Sequence, residues 1–327
     1  MRTTRSRCSG VWDKQAVVRG PDIRPGLLCQ QGKRSIINWK IGPKGDMTHM
    51  KKTIRKILIV VLAAVFIGSI AMMLRQNMQY RQGEEEYAEA ESLVELPDFS
   101  QLPAPTPTVP EEQAPQESAP EEEKPVYVDP YAEVLRNMDF TALREVNSDI
   151  LGWIVIPGTP ISYPLIQGTD NDYYLNHTWK KAKSVVGSIY MECQNDPALT
   201  DFNTIIYGHR MNNGSMFASL KYFKDKSYWQ QHPYVYITDD NGSHTYEIFA
   251  AYEVPIDGDT YYLGFPAEDS RQEFIDYCLG QSVIQTGVVP QTYDRILTLS
   301  TCTGRGHATR WVVQAVMRGE APAEEAA

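Results

Sequence analysis

Residues 234–254 read YVYITDDNGSHTYEIFAAYEV and carry the strongest signal of this chain's architecture. Two runs rich in aromatic and β-branched residues flank Asp239-Asp240-Asn241-Gly242, a sequence that favours a tight hairpin turn. The stretch therefore predicts two antiparallel strands joined by a short connection.

Further short apolar runs lie on both sides of this hairpin and are separated by turn residues. Their length and their content of aromatic and β-branched residues are typical of strands. They are WIVIPGTPI (153–161), SVVGSIYM (184–191), TIIYGH (204–209), RILTLSTC (295–302) and RWVVQAVM (310–317). Seven or eight such strands predict a mainly antiparallel barrel or sandwich.

Two regions depart from the strand pattern. Apolar residues between 134 and 146 have the spacing of one or two short amphipathic helices ahead of the strands. Between about 268 and 283, Phe274, Ile275 and Cys278 share one helical face, with Asp269 or Ser270 as the expected N-cap. The pattern predicts an inserted helix with Cys278 in the core.

A long apolar segment near the N-terminus predicts a membrane anchor. Residues 57–74, ILIVVLAAVFIGSIAMML, contain no charge, and about 27 Å of helix nearly matches a hydrocarbon core of about 30 Å. With its basic flank it defines a segment at 51–75, whose lysines and arginines favour a cytoplasmic N-terminus. The alternative is a cleavable signal peptide, because Ser69-Ile70-Ala71 resembles a cleavage site.

The rest of the chain divides by composition. Residues 1–50 are expected to be a cytoplasmic segment, and those before Met47 a start-site artefact, since Met47 directly precedes the basic flank. Residues 76–130 are expected to be an extracellular linker rich in acids and prolines, 131–318 the globular domain, and 319–327 a disordered tail.

Charge is concentrated in that linker. The net charge is −10, yet residues 84–123 contain thirteen acidic and no basic side chains. The remainder of the chain is therefore slightly positive and not strongly charged, so we expect no nucleic-acid partner.

The candidate chemistry centres on Cys302. The chain has five cysteines, of which Cys193, Cys278 and Cys302 follow the anchor, so at least one of these three is a free thiol unless it pairs between chains, and a Cys193–Cys278 bridge is disfavoured. Strand alternation in RILTLSTC places Ser300 and Cys302 on one face. Arg310 opens the next strand after a short connection, where a guanidinium can stabilise a thiolate or an oxyanion.

A thiol that attacks an amide also needs a proton donor for the leaving amine. His209 ends the strand TIIYGH and is favoured over His307, which lies within the Cys302 to Arg310 connection. The histidines at 177, 232 and 244 have polar neighbours and are expected at the surface.

Simpler interpretations compete with catalysis. A cysteine at a strand end is more often a packing residue than a nucleophile. Zinc is disfavoured because no close pair of cysteines or histidines occurs, and Asp257-Gly258-Asp259 is more typical of a turn than of a calcium site. We expect neither a metal nor a cofactor.

Residues 131–318 resemble the class B sortases, membrane-anchored cysteine transpeptidases of Gram-positive bacteria. The resemblance rests on TLSTC ending at Cys302, Arg310 after it, YGH ending at His209, GSMFASL (214–220), NSDILGWIVIPGT (147–159), GSIYM (187–191) and the inserted helix. It implies a closed eight-stranded β-barrel of antiparallel and mixed pairing with N-terminal helices. Arg305 and His307 are additional groups in the connection, and Arg305 is an alternative to Arg310.

The resemblance also implies roles. Cys302 would attack a C-terminal sorting signal of secreted proteins, often of an Asn-Pro-x-Thr type, and form a thioacyl enzyme. His209 would exchange protons, Arg310 would hold the substrate or oxyanion, and Ser300 and Thr301 would bind substrate. The acceptor would be an amine of a peptidoglycan precursor or of a pilin, outside the cell membrane.

Three other functions remain open. A cysteine endopeptidase that only hydrolyses is the nearest rival. An L,D-transpeptidase is disfavoured because its SHGC-like context does not occur. The third is a non-catalytic surface or pilus-scaffold module.

Overall fold

A computed structural model describes residues 47–102, 129–304 and 308–323. These residues fall into two compact units that divide between Met78 and Gln79. Helix α1, Met47–Ser92, contributes its first part to one unit and its last turns to the other. By length and composition, α1 is the one helix in the described residues able to cross a membrane.

Helix α1 is longer than the expected anchor. The sequence predicts a linker from residue 76, but residues 76–92 are helical. Tyr87 and Ala90 are buried within the compact unit that begins at Gln79. The alanines and glutamates of this stretch are strong helix formers, and burial of one face stabilises it further. The expected cytoplasmic residues 1–46 and the proline-rich linker residues 103–128 lie outside the described residues.

The remaining helices are short, apart from one. They are α2 (Pro130–Leu135), α3 (Thr141–Val146), α4 (Lys226–Gln231) and α5 (Glu268–Gln281). Helices α2 and α3 confirm the two amphipathic segments, with Leu135 and Leu143 fully buried. Helix α5 confirms the insert, and Cys278 on it is buried in the core as predicted.

The N-cap of α5 differs from the expected residue. Ala267 occupies the cap, and Ser270 is already three residues inside the helix. The Ser270 hydroxyl reaches back to the Ala267 backbone, accepting from its N–H at 3.4 Å and donating to its carbonyl at 2.6 Å. Ser270 thus provides a hydrogen-bond partner for the backbone at the start of α5 from within the helix.

Eight strands close into a barrel. They are β1 (Ile150–Val155), β2 (Ser162–Gln167), β3 (Ile189–Met191), β4 (Asn203–Tyr207), β5 (Tyr234–Asp239), β6 (Gly242–Pro255), β7 (Ile296–Cys302) and β8 (Thr309–Pro322). The order around the barrel is β1-β2-β3-β4-β7-β8-β6-β5. Two neighbouring pairs, β2 with β3 and β4 with β7, are parallel, and the others are antiparallel. A closed barrel of mixed pairing is confirmed, and the sandwich is excluded.

Two strand boundaries differ from the expectation. Strand β2 lies in SYPLIQ, where Pro164 is a strand-disfavouring residue, yet it stands opposite Trp153 in the register. Strand β8 continues to Pro322 and pairs with the start of β6, so residues 319–322 are part of the barrel rather than of a tail. Residues 324–327 lie outside the described residues.

The predicted hairpin between β5 and β6 is present. Asp239 stands opposite Gly242, and two residues connect the strands. Gly242 has φ +128, and an added Cβ would lie 2.1 Å from the Ala321 carbonyl oxygen, so only glycine fits. The Asp239 carboxylate accepts from the Asn241 N–H at 2.7 Å and fixes the turn.

Candidate active site

The pairing of β7 with β8 brings Cys302 and Arg310 together. Cys302 is the last residue of β7 and stands directly opposite Arg310 in the antiparallel register. Side chains at such paired positions are about 5 Å apart at their Cβ atoms. Cys302 is partly exposed, whereas Arg310 is buried.

The parallel pairing of β4 with β7 brings His209 to the same edge of the barrel. Tyr207 stands opposite Ser300, and the Gly208 N–H donates to the Ser300 carbonyl at 3.1 Å. His209 and Cys302 each lie two residues beyond this last registered pair. Because paired parallel strands run in the same direction, both residues lie at the same edge of the barrel.

The His209 imidazole is held by a backbone carbonyl. Its Nε2 lies 2.7 Å from the Leu175 carbonyl oxygen, which can only accept, so Nε2 carries a proton and Nδ1 is the nitrogen left for proton exchange. Burial lowers the pKa of His209, and the positive charge of Arg310 acts in the same direction, whereas the Leu175 bond raises it. The neutral imidazole is therefore favoured.

A chain of hydroxyls holds the connection between Cys302 and Arg310. The Thr309 hydroxyl donates to the Glu253 carboxylate at 2.6 Å, and the Thr303 hydroxyl lies 3.0 Å from the Thr309 hydroxyl. The Arg310 guanidinium donates to the Thr309 carbonyl at 3.1 Å. These bonds keep the ends of β7 and β8 together where the connection begins and ends.

Arg210 joins the histidine strand to this connection. Its guanidinium donates to the Thr303 carbonyl, directly after Cys302. Gly304 follows with φ +79, and an added Cβ would lie 2.9 Å from the Arg210 Nη1. The residues after His209 and after Cys302 are thus in direct contact.

Tyrosines surround Ser300 on the Cys302 face. The Ser300 and Tyr261 hydroxyls lie 2.9 Å apart, and the Tyr207 and Tyr261 rings stack with centroids 6.4 Å apart. Burial raises the pKa of Tyr261 to about 12, so its phenol is neutral and available as a hydrogen-bond donor. Tyr207 also donates to the buried Glu192 carboxylate at 2.9 Å, and burial raises its pKa well above the usual value.

Thr301 is separated from the other expected site residues. Alternation places it on the opposite face of β7, with Leu297 and Leu299 in the core. Its side chain is buried and its hydroxyl has no hydrogen-bond partner within the described residues. The side chain of Thr301 therefore does not share the face of β7 that carries Ser300 and Cys302. Arg305 and His307 lie outside the described residues.

The three cysteines of the described residues are all thiols, at 193, 278 and 302. No Cys193 to Cys278 bridge forms. In the part of the chain that the structure describes, no three His, Cys, Asp or Glu side chains cluster as metal ligands would.

Sequence reasoning missed three groups at this site. The Leu175 carbonyl leaves no pattern in the sequence, because any residue type supplies a carbonyl. Arg210 directly follows His209, and Tyr261 lies in the segment between β6 and α5, but nothing in their local patterns indicates their partners. Their contacts depend on how distant segments meet in the barrel.

Comparison with known proteins places this geometry in context. The sortase-domain family model matches residues 154–318. Sortase B of Listeria monocytogenes is 41% identical over 162 residues, which cover 49% of this chain and 65% of the relative. Sortase B of Staphylococcus aureus is 33% identical over 163 residues, covering 50% of this chain and 67% of the relative. This chain thus matches about two thirds of the length of each relative.

A solved structure agrees with the sequence comparison. The Staphylococcus aureus sortase B–substrate complex superposes with a TM-score of 0.52 at 32% identity. The match covers 55% of this chain and 84% of that structure.

Proposed function

Because this chain belongs to the sortase family, we propose that it is a cysteine transpeptidase of the sortase B type, with Cys302 as nucleophile, His209 as acid and base, and Arg310 as the cationic partner. Its substrates are secreted proteins that carry a C-terminal sorting signal. Its products are the same proteins joined to an amine of peptidoglycan or of a pilin.

The observation that carries this proposal is the meeting of three strand ends. The end of β7, the start of β8 and the residues after β4 supply a thiol, a guanidinium and an imidazole at one edge of the barrel. A partly exposed thiol beside a buried cation is the kind of setting in which reactive cysteines occur. A packing cysteine requires neither neighbour.

In the first step the neutral His209 Nδ1 takes the proton of the Cys302 thiol, and the resulting thiolate attacks the scissile carbonyl carbon. A carbon–sulfur bond forms, negative charge develops on the carbonyl oxygen, and Arg310 stabilises that charge. The carbon–nitrogen bond then breaks as His209 Nδ1 transfers its proton to the departing amine. A thioester and a neutral imidazole remain.

In the second step the acceptor amine replaces the thiol. The amine attacks the thioester carbon and gives its proton to His209 Nδ1, which is neutral after the first step. The carbon–sulfur bond breaks, an amide forms, and the His209 imidazolium returns its proton to the Cys302 thiolate, so that the thiol and the neutral imidazole are restored. The proton and charge balance therefore closes over the cycle.

Tyr207 and Tyr261, which are partly exposed beside the buried Ser300, form the surface on which we place the sorting signal. Neutral phenols and hydroxyls donate and accept hydrogen bonds with a peptide backbone, and the ring faces pack on a proline. The relative from Staphylococcus aureus has been captured with substrate. A Pro-x-Thr peptide is thus the first ligand to test.

Substitution of Cys302 tests the nucleophile. In full-length protein in detergent micelles, Cys302→Ala abolishes cleavage of Pro-x-Thr peptides and the thioacyl mass adduct. Cys193→Ala is the matched control, since Cys193 is also a partly exposed thiol, and it retains both. Cleavage that survives Cys302→Ala would show that the proposed nucleophile is wrong.

An amine acceptor separates transfer from hydrolysis. With a sorting peptide and a short amine-terminated peptide, a transpeptidase yields the joined product, and its rate rises with acceptor concentration. An endopeptidase yields only the acid, whatever the acceptor. A scaffold module yields neither product and leaves Cys302 unreactive toward thiol reagents.

We propose that α1 anchors the enzyme with its N-terminus in the cytoplasm and its barrel outside the cell. The apolar span and the preceding lysines support this orientation. In intact cells, external protease should degrade the barrel and leave the apolar part of α1 in the membrane. Protection of the barrel until the cells are lysed would contradict the orientation.

A further inference from the structure

The last turns of α1 pack against the barrel within one compact unit. Tyr87 and Ala90 are buried there, 8% and 0% exposed. Two polar contacts support the packing. The Trp179 indole donates to the Glu86 carbonyl at 2.8 Å, and Lys180 pairs with Glu89 at 2.5 Å.

The Tyr87 hydroxyl makes the deepest of these contacts. It donates to the Gly187 carbonyl at 2.6 Å and lies 3.3 Å from the Ser188 hydroxyl. The Ser188 hydroxyl donates onward to the His177 carbonyl at 2.8 Å. Tyr87 therefore fixes the segment that precedes β3.

Gly187 in turn packs against the His209 imidazole. A Cβ added at Gly187 would lie 2.9 Å from His209 Cδ2 and 2.6 Å from the Leu175 carbonyl oxygen. That same oxygen accepts the His209 Nε2 hydrogen bond. A shift of Gly187 would therefore displace both the His209 ring and the Leu175 carbonyl that orients it.

A second set of contacts connects Tyr87 to the other side of His209. The Tyr87 ring meets the Tyr163 ring edge to face with centroids 5.3 Å apart. The Tyr163 hydroxyl accepts from the Met216 N–H at 2.8 Å, and the next residue, Phe217, donates its N–H to the His209 carbonyl at 2.9 Å. One tyrosine therefore supports both the ring and the backbone of His209.

We propose that Tyr87 is a positioning residue for His209, so that the end of α1 forms part of the catalytic apparatus and does not serve only to attach it. The inference rests on the proposed function, because it assigns Tyr87 an effect on proton transfer by His209. The Tyr87 hydroxyl holds Gly187 against the imidazole and keeps water from it. Without the hydroxyl, the segment loosens and the ring departs from its reactive orientation.

The test compares Tyr87→Phe with Tyr236→Phe in full-length protein in detergent micelles. Both changes remove one buried hydroxyl, and Tyr236 donates to the Asp129 carboxylate at 2.9 Å from strand β5, which adjoins neither β4 nor β7. Tyr87→Phe should lower kcat for a sorting peptide about fivefold with KM unchanged, as expected for loss of alignment. Tyr236→Phe should change neither constant.

A spectroscopic readout follows His209 itself. With ¹³C-labelled histidine, His209→Asn identifies the resonance of residue 209 by difference. Burial holds the pKa of His209 below its usual value, and Tyr87→Phe should raise it toward about 6.5 as water reaches the ring. Tyr236→Phe and Glu89→Gln should leave that titration unchanged, the second of these removing only the Lys180 ion pair.

The outcomes separate this inference from the proposed function. If wild type cleaves no sorting peptide, the proposed function fails, while the titration still tests the positioning of His209. An unchanged kcat and titration in Tyr87→Phe overturns the inference and leaves the transpeptidase intact. If Glu89→Gln changes kcat and the titration as much as Tyr87→Phe does, the cause is docking of the helix in general, and the inference about Tyr87 is also overturned. If Tyr87→Phe does not fold, Ser188→Ala replaces it in the test, because the Ser188 hydroxyl is the next group in the same chain of contacts. It must then raise the pKa of His209, by a smaller amount, for the inference to stand.

Discussion

The role that we propose for Arg310 depends on the planar shape of its guanidinium group. In the proposed reaction, the planar guanidinium opposite Cys302 presents several N–H groups to the developing oxyanion, whereas a lysine would present a single point of charge. Arg310→Lys should therefore lower kcat/KM about 100-fold with little change in melting temperature. Arg318→Lys is the control, because Arg318 pairs with Glu247 at 2.8 Å further along β8. Near-normal activity of Arg310→Lys would assign the role to charge alone.

The pH dependence of the reaction reports on His209. Burial lowers its pKa, so the imidazole loses its proton at a lower pH than an exposed histidine with a pKa of about 6.5. The acidic limb of kcat/KM should therefore have its midpoint below that value. His232→Asn should leave the limb in place, since the His232 ring contacts the Pro157 carbonyl instead. A midpoint at or above 6.5 would contradict the buried environment.

At this scale the sequence predicts which side chains meet at the end of β7 but not the groups that hold them. Alternation in β7 correctly places Ser300 with Cys302 and apart from Thr301. The short connection correctly predicts the pairing of Cys302 with Arg310. The contacts of the Leu175 carbonyl and of Tyr87 with the His209 region are not predicted from the sequence, because they arise only when distant segments pack.

The segment between β6 and α5 is the element that positions Tyr261. The buried Asn203 amide donates to the Thr260 and Tyr262 carbonyls at 3.1 Å each, and its oxygen accepts from the Thr298 hydroxyl at 2.7 Å. These bonds fix the residues on both sides of Tyr261, which contacts Ser300.

Asn203→Ala should therefore loosen this element. Two buried carbonyls lose their donors, which costs about 2–3 kcal/mol of unfolding free energy. KM for the sorting peptide should rise several-fold, because Tyr261 is no longer held beside Ser300. Asn147→Ala removes a comparable buried amide, bonded to Tyr174 and Trp179, and should lower stability without raising KM. An unchanged KM in Asn203→Ala would show that Tyr261 does not take part in binding the peptide.

Elements with regular periodicity are the ones that the sequence predicts. The hairpin of β5 and β6, the insert α5 and the strand β7 all follow from local patterns. Strand β2 does not, because Pro164 lacks an N–H and interrupts the pattern of a paired strand. The end of α1 does not either, because an acidic composition also fits an extended linker, and only packing on the barrel distinguishes the two.

For the whole molecule, the boundary of the folded domain lies further upstream than composition suggests. A fragment of residues 79–327 keeps the end of α1, whereas one of residues 129–327 exposes the surface that Tyr87 and Ala90 cover. The shorter fragment should melt about 5–10 °C lower, as expected for a few kcal/mol of lost burial. Circular dichroism of both fragments checks this. Equal melting temperatures would show that the helix contributes nothing to stability.

The parallel pairing of β4 with β7 also determines when the enzyme becomes active during folding. Residues 208–295, which include β5, β6 and α5, separate β4 from β7 in the sequence, and such long-range pairing is slow. The imidazole and the thiol therefore meet only at a late stage of barrel closure. We expect Cys302 of a newly made chain to remain unreactive toward sorting peptides until the fold is nearly complete, so that reactivity appears together with the closed barrel.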